Sequence, residues 1–136
     1  MADLSQTAAN VSLTDVTGNR VAAVTAGEAI TQGMPVYLQS NKYYKADAST
    51  QAAAKCRGIA LTPAAADELF VLASPDSTVD VGATLTIGET YVVSGTSGGI
   101  APIADLTTGE FVTILGTATT AGKLPLNIIF GTVGKA

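Results

Sequence analysis

Residues 78–94 read TVDVGATLTIGETYVVS, and this stretch decides the fold class. It contains three short runs rich in threonine, valine and isoleucine, separated by Gly82-Ala83 and Gly88-Glu89. β-Branched residues favour extended backbone, and glycine between such runs favours turns. The stretch therefore predicts three consecutive strands, which are Thr78–Val81, Thr84–Ile87 and Thr90–Ser94.

The same pattern continues on both sides of this stretch. Downstream, the apolar runs Phe111–Thr119 and Leu124–Val133 are predicted strands. Before this stretch, Thr62–Glu68 is predicted to be a turn or a single helical turn, and Ser74–Ser77 is predicted to be a turn. Upstream, the predicted strands are Arg20–Thr25, Pro35–Leu38, Lys42–Ala46, Cys56–Leu61 and Leu69–Ala73.

Two local features of the upstream half are more specific. Gln39-Ser40-Asn41 separates two strand-like runs and predicts a β-hairpin over residues 35–46 with a three-residue loop. The alanine-rich segment Asp47–Lys55 predicts one short helix, with Asp47 or Ser49 as its N-cap. The sequence has no long helical pattern to serve as the crossover of a parallel α/β sheet.

The sequence thus predicts an all-β fold, mainly β with one short helix. The predicted architecture is a compact β-sandwich or β-barrel-like domain, and the number of strands does not distinguish the two. A chain of 136 residues fits one domain. We divide it into an extended N-terminal arm, residues 1–19, through which no clear period runs, and a single β-rich domain, residues 20–136.

The composition is poor in the side chains that enzymes use near neutral pH. The chain has no histidine, no tryptophan and one cysteine. We therefore expect a protein that is not an enzyme, with no cofactor and no small-molecule substrate. The formal net charge is −4, and the lysines and arginines are scattered singly. No nucleic acid and no membrane are expected as partners, because both attract clustered cations.

The compartment is predicted from the N-terminus and the cysteine count. Residues 1–13 lack the basic and apolar regions of a secretory signal. One cysteine cannot form an internal disulfide, which fits folding in a reducing cytosol. No apolar stretch approaches the roughly 20 residues needed to span a bilayer.

Few residues could carry chemistry, and each has a simpler interpretation. Cys56 lies between two cationic residues that could favour a thiolate, but we predict a small strand residue without a chemical role. The carboxylates of Asp67-Glu68, and of Asp105 and Glu110, are predicted to be solvated surface groups, not the facing pair of a glycosidase. No metal site is expected, because no run combines Asp and Asn with Gly as in a calcium loop.

Tyrosines and glycines suggest two further candidate sites. Tyr43 and Tyr44 could stack a base or a sugar, but alternation in a strand places them on opposite faces, so a shared platform is not expected. The loop Gly95–Gly99 lacks the Lys-Ser/Thr ending of a phosphate loop and is predicted to be a β-turn loop.

Edge strands are expected to pair with another chain. Few charges lie between Val92 and Ile128 to block such edges. A half-exposed pleated surface also suits threonine at the predicted outward positions, which are Thr84, Thr86, Thr90, Thr113, Thr117 and Thr119.

Four stretches occur in an order that resembles one family of virion proteins. They are AGEAITQGMPVYLQSNKYYKADAS…KCRGIA within 26–60, GETYVVS at 88–94, GGIAPIAD at 98–105 and GEFVTILGTA at 109–118. This order is similar to that of the capsid decoration, or cement, proteins of tailed bacteriophages. The resemblance covers about residues 20–130, while residues 1–19 carry no element of the pattern.

The resemblance implies a structural virion protein that binds the outer surface of the phage head and stabilises the coat lattice. The implied partners are the major capsid (coat) protein and further copies of the chain, as trimers at threefold positions or dimers at twofold positions, with the trimer favoured. The chain would be made in the host cytoplasm. The family carries no catalytic residues. The expected contacts with the coat or with a sister subunit are the isolated apolar residues of the arm, Leu4, Val11, Leu13 and Val16.

Two other functions remain open. A phage tail or fibre adaptor, or a receptor- or glycan-binding β module, would present a concave groove lined by aromatic or carboxylate side chains. An enzyme would have to work with carboxylates alone.

Overall fold

The computed structural model describes residue 6 and residues 11–13, 20–73, 78–106 and 108–134. The all-β prediction is confirmed: strands arranged in three sheets account for most of the regular structure. The elements are β1 (Val11–Leu13), β2 (Arg20–Thr25), β3 (Pro35–Gln39), β4 (Lys42–Lys45), α1 (Gln51–Ala54), β5 (Cys56–Ala60), β6 (Leu69–Ala73), β7 (Thr78–Val81), β8 (Thr90–Val93), β9 (Ile100–Pro102), a 3₁₀ turn (Ile103–Asp105), β10 (Phe111–Thr117), β11 (Leu124–Pro125) and β12 (Ile129–Gly134).

The largest sheet curls towards a small barrel. Its order is β2-β6-β5-β3-β4, and all its neighbouring strands are antiparallel. Ala26, just after β2, forms a parallel bridge with Tyr43 of β4, and Gly27 N donates to Tyr43 O at 2.7 Å. The first and last strands therefore meet at one point, around a core that includes Ile30, Phe70 and Leu72.

The other two sheets share the main core. Their orders are β12-β10-β8-β9 and β1-β7-β11. Leu115 of β10, Leu124 of β11 and Val79 of β7 are fully buried in one cluster with Ile59 of the curled sheet. Apolar side chains from all three sheets thus pack into one body, which stabilises it by removing their surface from water.

The hairpin is tighter than predicted. β3 and β4 pair from Val36–Lys45 to Gln39–Lys42, so the loop has two residues and not three. Ser40 and Asn41 have φ angles of 53° and 66°. Positive φ at both central residues is typical of a type I′ turn, whose twist matches the flanking strands.

The helix is shorter than predicted and is capped by another residue. It is one turn, Gln51–Ala54, and the Thr50 side chain accepts from Ala53 N at 3.2 Å. Neither Asp47 nor Ser49 is the N-cap. Asp47 Oδ1 accepts instead from Ser49 N at 2.9 Å, a local turn that holds the chain out of helical conformation.

Several predicted strand bounds are wrong. Thr84–Ile87 is not a strand: Leu85 N donates to Ala121 O at 2.7 Å, and Thr86 N donates to the Tyr91 hydroxyl at 2.9 Å. The run Leu124–Val133 is split into β11 and β12. β9 was not predicted, and the predicted turn Ser74–Ser77 lies outside the described residues.

Part of the predicted arm belongs to the body. β1 pairs with β7 in antiparallel register, with Val11 opposite Val81 and Leu13 opposite Val79. The Val11 side chain is only 6% exposed and belongs to the main core. The boundary at residue 19 therefore does not separate this strand from the domain.

Candidate functional site

The hairpin carries two tyrosines on one of its faces. Tyr37 of β3 lies directly opposite Tyr44 of β4, and residues in such pairs point to the same side of a sheet. Their ring centroids are 5.9 Å apart, with an interplanar angle of 36°, and both side chains are half-buried. We call Tyr37, Tyr44, Glu28 and Asp47 the tyrosine face.

Tyr44 lies close against the turn after β2. A Cβ atom at Gly27 would overlap the Tyr44 ring, so the ring occupies the space that any larger residue would need. Tyr44 is thereby packed against the backbone on one side and against Tyr37 on the other, which fixes its position.

The two carboxylates of the tyrosine face are held by local hydrogen bonds. Glu28 Oε2 accepts from Lys45 N at 3.0 Å. Asp47 accepts from Ser49 N and from Ser97 Oγ, both at 2.9 Å. Partial burial raises the pKa of Asp47, but the hydrogen bonds from Ser49 and Ser97 outweigh it, and the pKa lies below its ordinary value.

Burial and two carboxylates act on the Tyr37 hydroxyl in the same direction. Burial raises the pKa of the Tyr37 hydroxyl, and the charges of Asp47 and Glu28 raise it further. The hydroxyl donates to Gln39 Oε1 at 3.1 Å.

The prediction that Tyr43 and Tyr44 lie on opposite faces is confirmed. The Tyr43 ring meets Phe70 edge to face at 6.0 Å and packs against the core of the curled sheet. The Tyr37–Tyr44 pair was missed at the sequence level. The signal was present, because a two-residue turn at Ser40-Asn41 places residues 37 and 44 opposite each other.

Cys56 is a buried strand residue, as predicted. Its Sγ is within 3.2 Å of the Gly58 carbonyl oxygen, to which it donates. Burial raises the pKa of the thiol to about 12. A thiolate therefore does not form near neutral pH, despite the cationic neighbours in sequence.

The predicted carboxylates lie in three separate turn regions, before β6, at the end of the 3₁₀ turn and before β10. Asp67, before β6, forms an exposed ion pair with Lys42 at 2.5 Å, and Glu68 Oε1 accepts from Ala65 N at 2.7 Å. Asp105 ends the 3₁₀ turn, and the Glu110 carboxylate lies where a Cβ of Gly95 would be. Within the described ranges, no group of three Asp, Glu or Cys side chains is arranged to hold a metal ion.

The Gly95–Gly99 segment is a turn loop, as predicted, and it connects β8 to the unpredicted strand β9. Ser94 N donates to Gly99 O at 3.1 Å, and Gly99 N donates to Thr96 O at 3.0 Å. The loop also contacts the tyrosine face through Ser97, whose hydroxyl donates to Asp47.

The four predicted arm contacts have different outcomes. Val11 is buried in its own chain, which corrects the expectation that it contacts a partner. Leu13 lies in β1, while Leu4 and Val16 lie outside the described residues. Gln6, which no sequence pattern marks, also holds this segment: its Nε2 donates to Gly33 O and to Val81 O, both at 2.9 Å.

Comparison with known proteins adds no relative: no family model matches the chain, and no curated protein matches it significantly. Among the described residues, no helix has the length and apolar character required to cross a membrane.

Proposed function

We propose that the chain is a capsid decoration protein, a structural virion protein that binds the outer surface of a phage head. One observation carries the proposal. The stretches that resemble this family coincide with the strands and turns of the body: GETYVVS contains β8, GGIAPIAD contains β9 and GEFVTILGTA contains β10. Three of the stretches that carry the resemblance therefore supply three neighbouring strands of one sheet, in the spatial order β10-β8-β9.

Two of these stretches begin with a Gly-Glu pair whose glycine has a positive φ angle. Gly88-Glu89 and Gly109-Glu110 precede β8 and β10, which pair with each other. Gly88 and Gly109 have φ angles of 87° and 92°, which favour glycine strongly over residues with a side chain. The resemblance at these positions thus follows from a backbone requirement, which supports a shared architecture.

The mechanism we propose is linkage by mass action. A protein that binds the expanded coat lattice, and not its precursor, stabilises the expanded form in proportion to its occupancy. Many copies on one shell act together, so each contact can be weak. The partners in this proposal are the coat protein and sister copies of the chain, with the trimer favoured.

The test uses particles of the virus that encodes the chain. Mass spectrometry of purified heads should find the chain in many copies. Heads stripped of it should bind the purified protein saturably and should then break at a higher temperature. Unexpanded heads are the control and should not bind.

Two results would contradict the proposal. One is absence of the chain from purified particles together with no binding to stripped heads. The other is binding to a glycan array by a protein that does not bind heads, which would support a receptor-binding module instead.

A further inference from the structure

The strand β1 is received by parts of the chain that lie far from it in sequence. It pairs with β7, where Val11 lies opposite Val81. Gln6 Nε2 donates to Gly33 O and to Val81 O, which are 27 and 75 residues further along the chain. We call Gly33 and β7 the β1 site. Because its parts do not adjoin β1 in sequence, the site is a receptor that β1 fills as a ligand does.

Gly33 fits the β1 site to these particular side chains. A Cβ atom at this position would lie 2.7 Å from Gln6 Nε2 and 2.9 Å from Val11 Cγ2. The φ angle of Gly33 is 89°, which also favours glycine. The bare face of Gly33 therefore receives both side chains. Val11 is only 6% exposed there, and its burial stabilises the docked strand.

The connection between β1 and β2 is short. Only residues 14–19 join Leu13 to Arg20, and a fully extended chain of that length spans about 25 Å. A tether this short holds β1 near its site at an effective concentration in the millimolar range. A second copy of the chain offers an identical site with the same contacts. Local concentration, and not contact energy, therefore decides which copy's β1 fills a given site.

We infer that β1 is exchanged between copies of the chain, so that Gln6 and Val11 of one copy occupy the β1 site of a sister copy. In a single chain Val11 fills its own site, and exchange moves it to the same site of the sister. A closed ring of copies fills every β1 site and loses none of these contacts. The inference rests on the proposed function for the crowding that drives exchange, because copies side by side on one shell bring β1 close to neighbouring sites.

The first experiment detects exchange by a disulfide that only two copies can form. Ser12 of β1 lies directly opposite Asp80 of β7, and Cα atoms of such pairs are close enough for a disulfide. Ser12→Cys and Asp80→Cys are made in separate full-length chains, mixed at millimolar concentration and oxidised. We expect a covalent dimer joined between residues 12 and 80. The native Cys56 is kept because it is buried, and peptide mapping by mass spectrometry identifies the joined residues.

Two controls separate exchange from chance collision. In one mixture Gly122→Cys replaces Asp80→Cys, because Gly122 is exposed and nothing lies within 4 Å of its Cβ position. The yield with Asp80→Cys should exceed the yield of this mixture by at least about tenfold. The second control is one chain with both Ser12→Cys and Asp80→Cys. Oxidised at micromolar concentration, it should give a monomer with an internal disulfide, which verifies the register.

Gln6→Ala tests the direction of exchange. In the Ser12→Cys chain it removes the donor to Gly33 O and Val81 O, so the yield should fall about two- to tenfold. In the Asp80→Cys chain the same substitution weakens the strand that competes for the β1 site, so the yield should rise. A general loss of stability would change both mixtures in the same direction. Opposite effects therefore distinguish exchange from destabilisation.

The second experiment repeats the oxidation on stripped heads loaded with both variants. Bound copies should form the same disulfide at protein concentrations where the free mixture forms none. Yields that never exceed those of the Gly122→Cys mixture, in concentrated solution and on heads, would overturn the inference and leave the proposed function standing. The disulfide in a concentrated protein that does not bind heads would support exchange and contradict the proposed function.

Discussion

The buried hydroxyl of Thr113 donates a hydrogen bond to the backbone carbonyl of Ala54, which joins β10 to the end of the helical turn α1. The last carbonyls of a helix have no partner inside the helix. The Thr113 hydroxyl supplies one here, and it thereby anchors a one-turn helix that would be unstable alone.

Replacing Thr113 by valine should therefore destabilise the fold. The shape is kept, but a buried carbonyl loses its donor, which costs about 1–3 kcal/mol. The free energy of unfolding in urea measures it. The control is Thr117→Val, at an exposed position where the hydroxyl contacts Thr90 at 3.1 Å, and its effect should stay within about 0.5 kcal/mol. Equal effects of the two substitutions would contradict the role of the buried bond.

Gly58 allows close approach of two strands in the curled sheet. A Cβ at this position would overlap the backbone carbonyl of Ala73 on β6, which cannot move as a side-chain end can. Gly58→Ala should therefore lower the free energy of unfolding by about 1–3 kcal/mol. Gly122→Ala is the matched control, because nothing lies within 4 Å of its Cβ position, and it should be neutral or slightly stabilising. A Gly58→Ala protein as stable as the control would show that β5 and β6 can separate at no cost.

The Cys56 thiol should make stability fall at alkaline pH. Its pKa is about 12 in the folded protein against 9.0 for the free group, so the unfolded chain loses this proton first. Above pH 9 the unfolded state is favoured, by up to about 1.4 kcal/mol per pH unit. Urea unfolding between pH 8 and pH 10.5 should show a steeper decline for the wild type than for Cys56→Ala, which lacks the group. Parallel declines would contradict the burial of the thiol.

Asp47 should contribute stability that is lost in acid. Its pKa lies below 3.8, the value of the free group, because hydrogen bonds from Ser49 and Ser97 outweigh the effect of burial. The contribution is present above pH 3.8 and disappears as the pH falls through the folded-state pKa. Melting temperatures at pH 6 and pH 2.5 should differ more in the wild type than in Asp47→Asn. An equal difference in both proteins would show that these hydrogen bonds do not favour the charged form.

The sequence predicted strands well where the local pattern decides them. Arg20–Thr25, Leu69–Ala73 and Thr78–Val81 have the predicted bounds, because β-branched or apolar runs end there at turn residues. Thr84–Ile87 has the same composition but is not a strand, since its backbone donors bond to Ala121 and to the Tyr91 hydroxyl. Hydrogen-bond partners so far along the chain cannot be predicted from the local sequence pattern.

Side-chain direction was harder to predict than strand location. Thr113 was expected to point outward but is buried, because the β10–β12 register shifts between Phe111 and Thr113 and alternation does not continue through an irregularity. The tyrosine face was missed because its register depends on the turn type at Ser40-Asn41. Its carboxylates come from a different turn and from the segment after β4, which only the folded chain brings together.

Val11 and Gln6 should stabilise the isolated protein, whereas residues of an arm that contacts only a partner would not. Val11→Ala should lower the free energy of unfolding of the isolated protein by about 1–2 kcal/mol, because a core side chain is truncated. Gln6→Ala should destabilise it too, since the carbonyls of Gly33 and Val81 lose a donor. Ile129→Ala is the control: that side chain is 53% exposed, and its loss should matter less. A Val11→Ala protein of unchanged stability but reduced occupancy on heads would restore Val11 as a partner contact and remove β1 from the folded body.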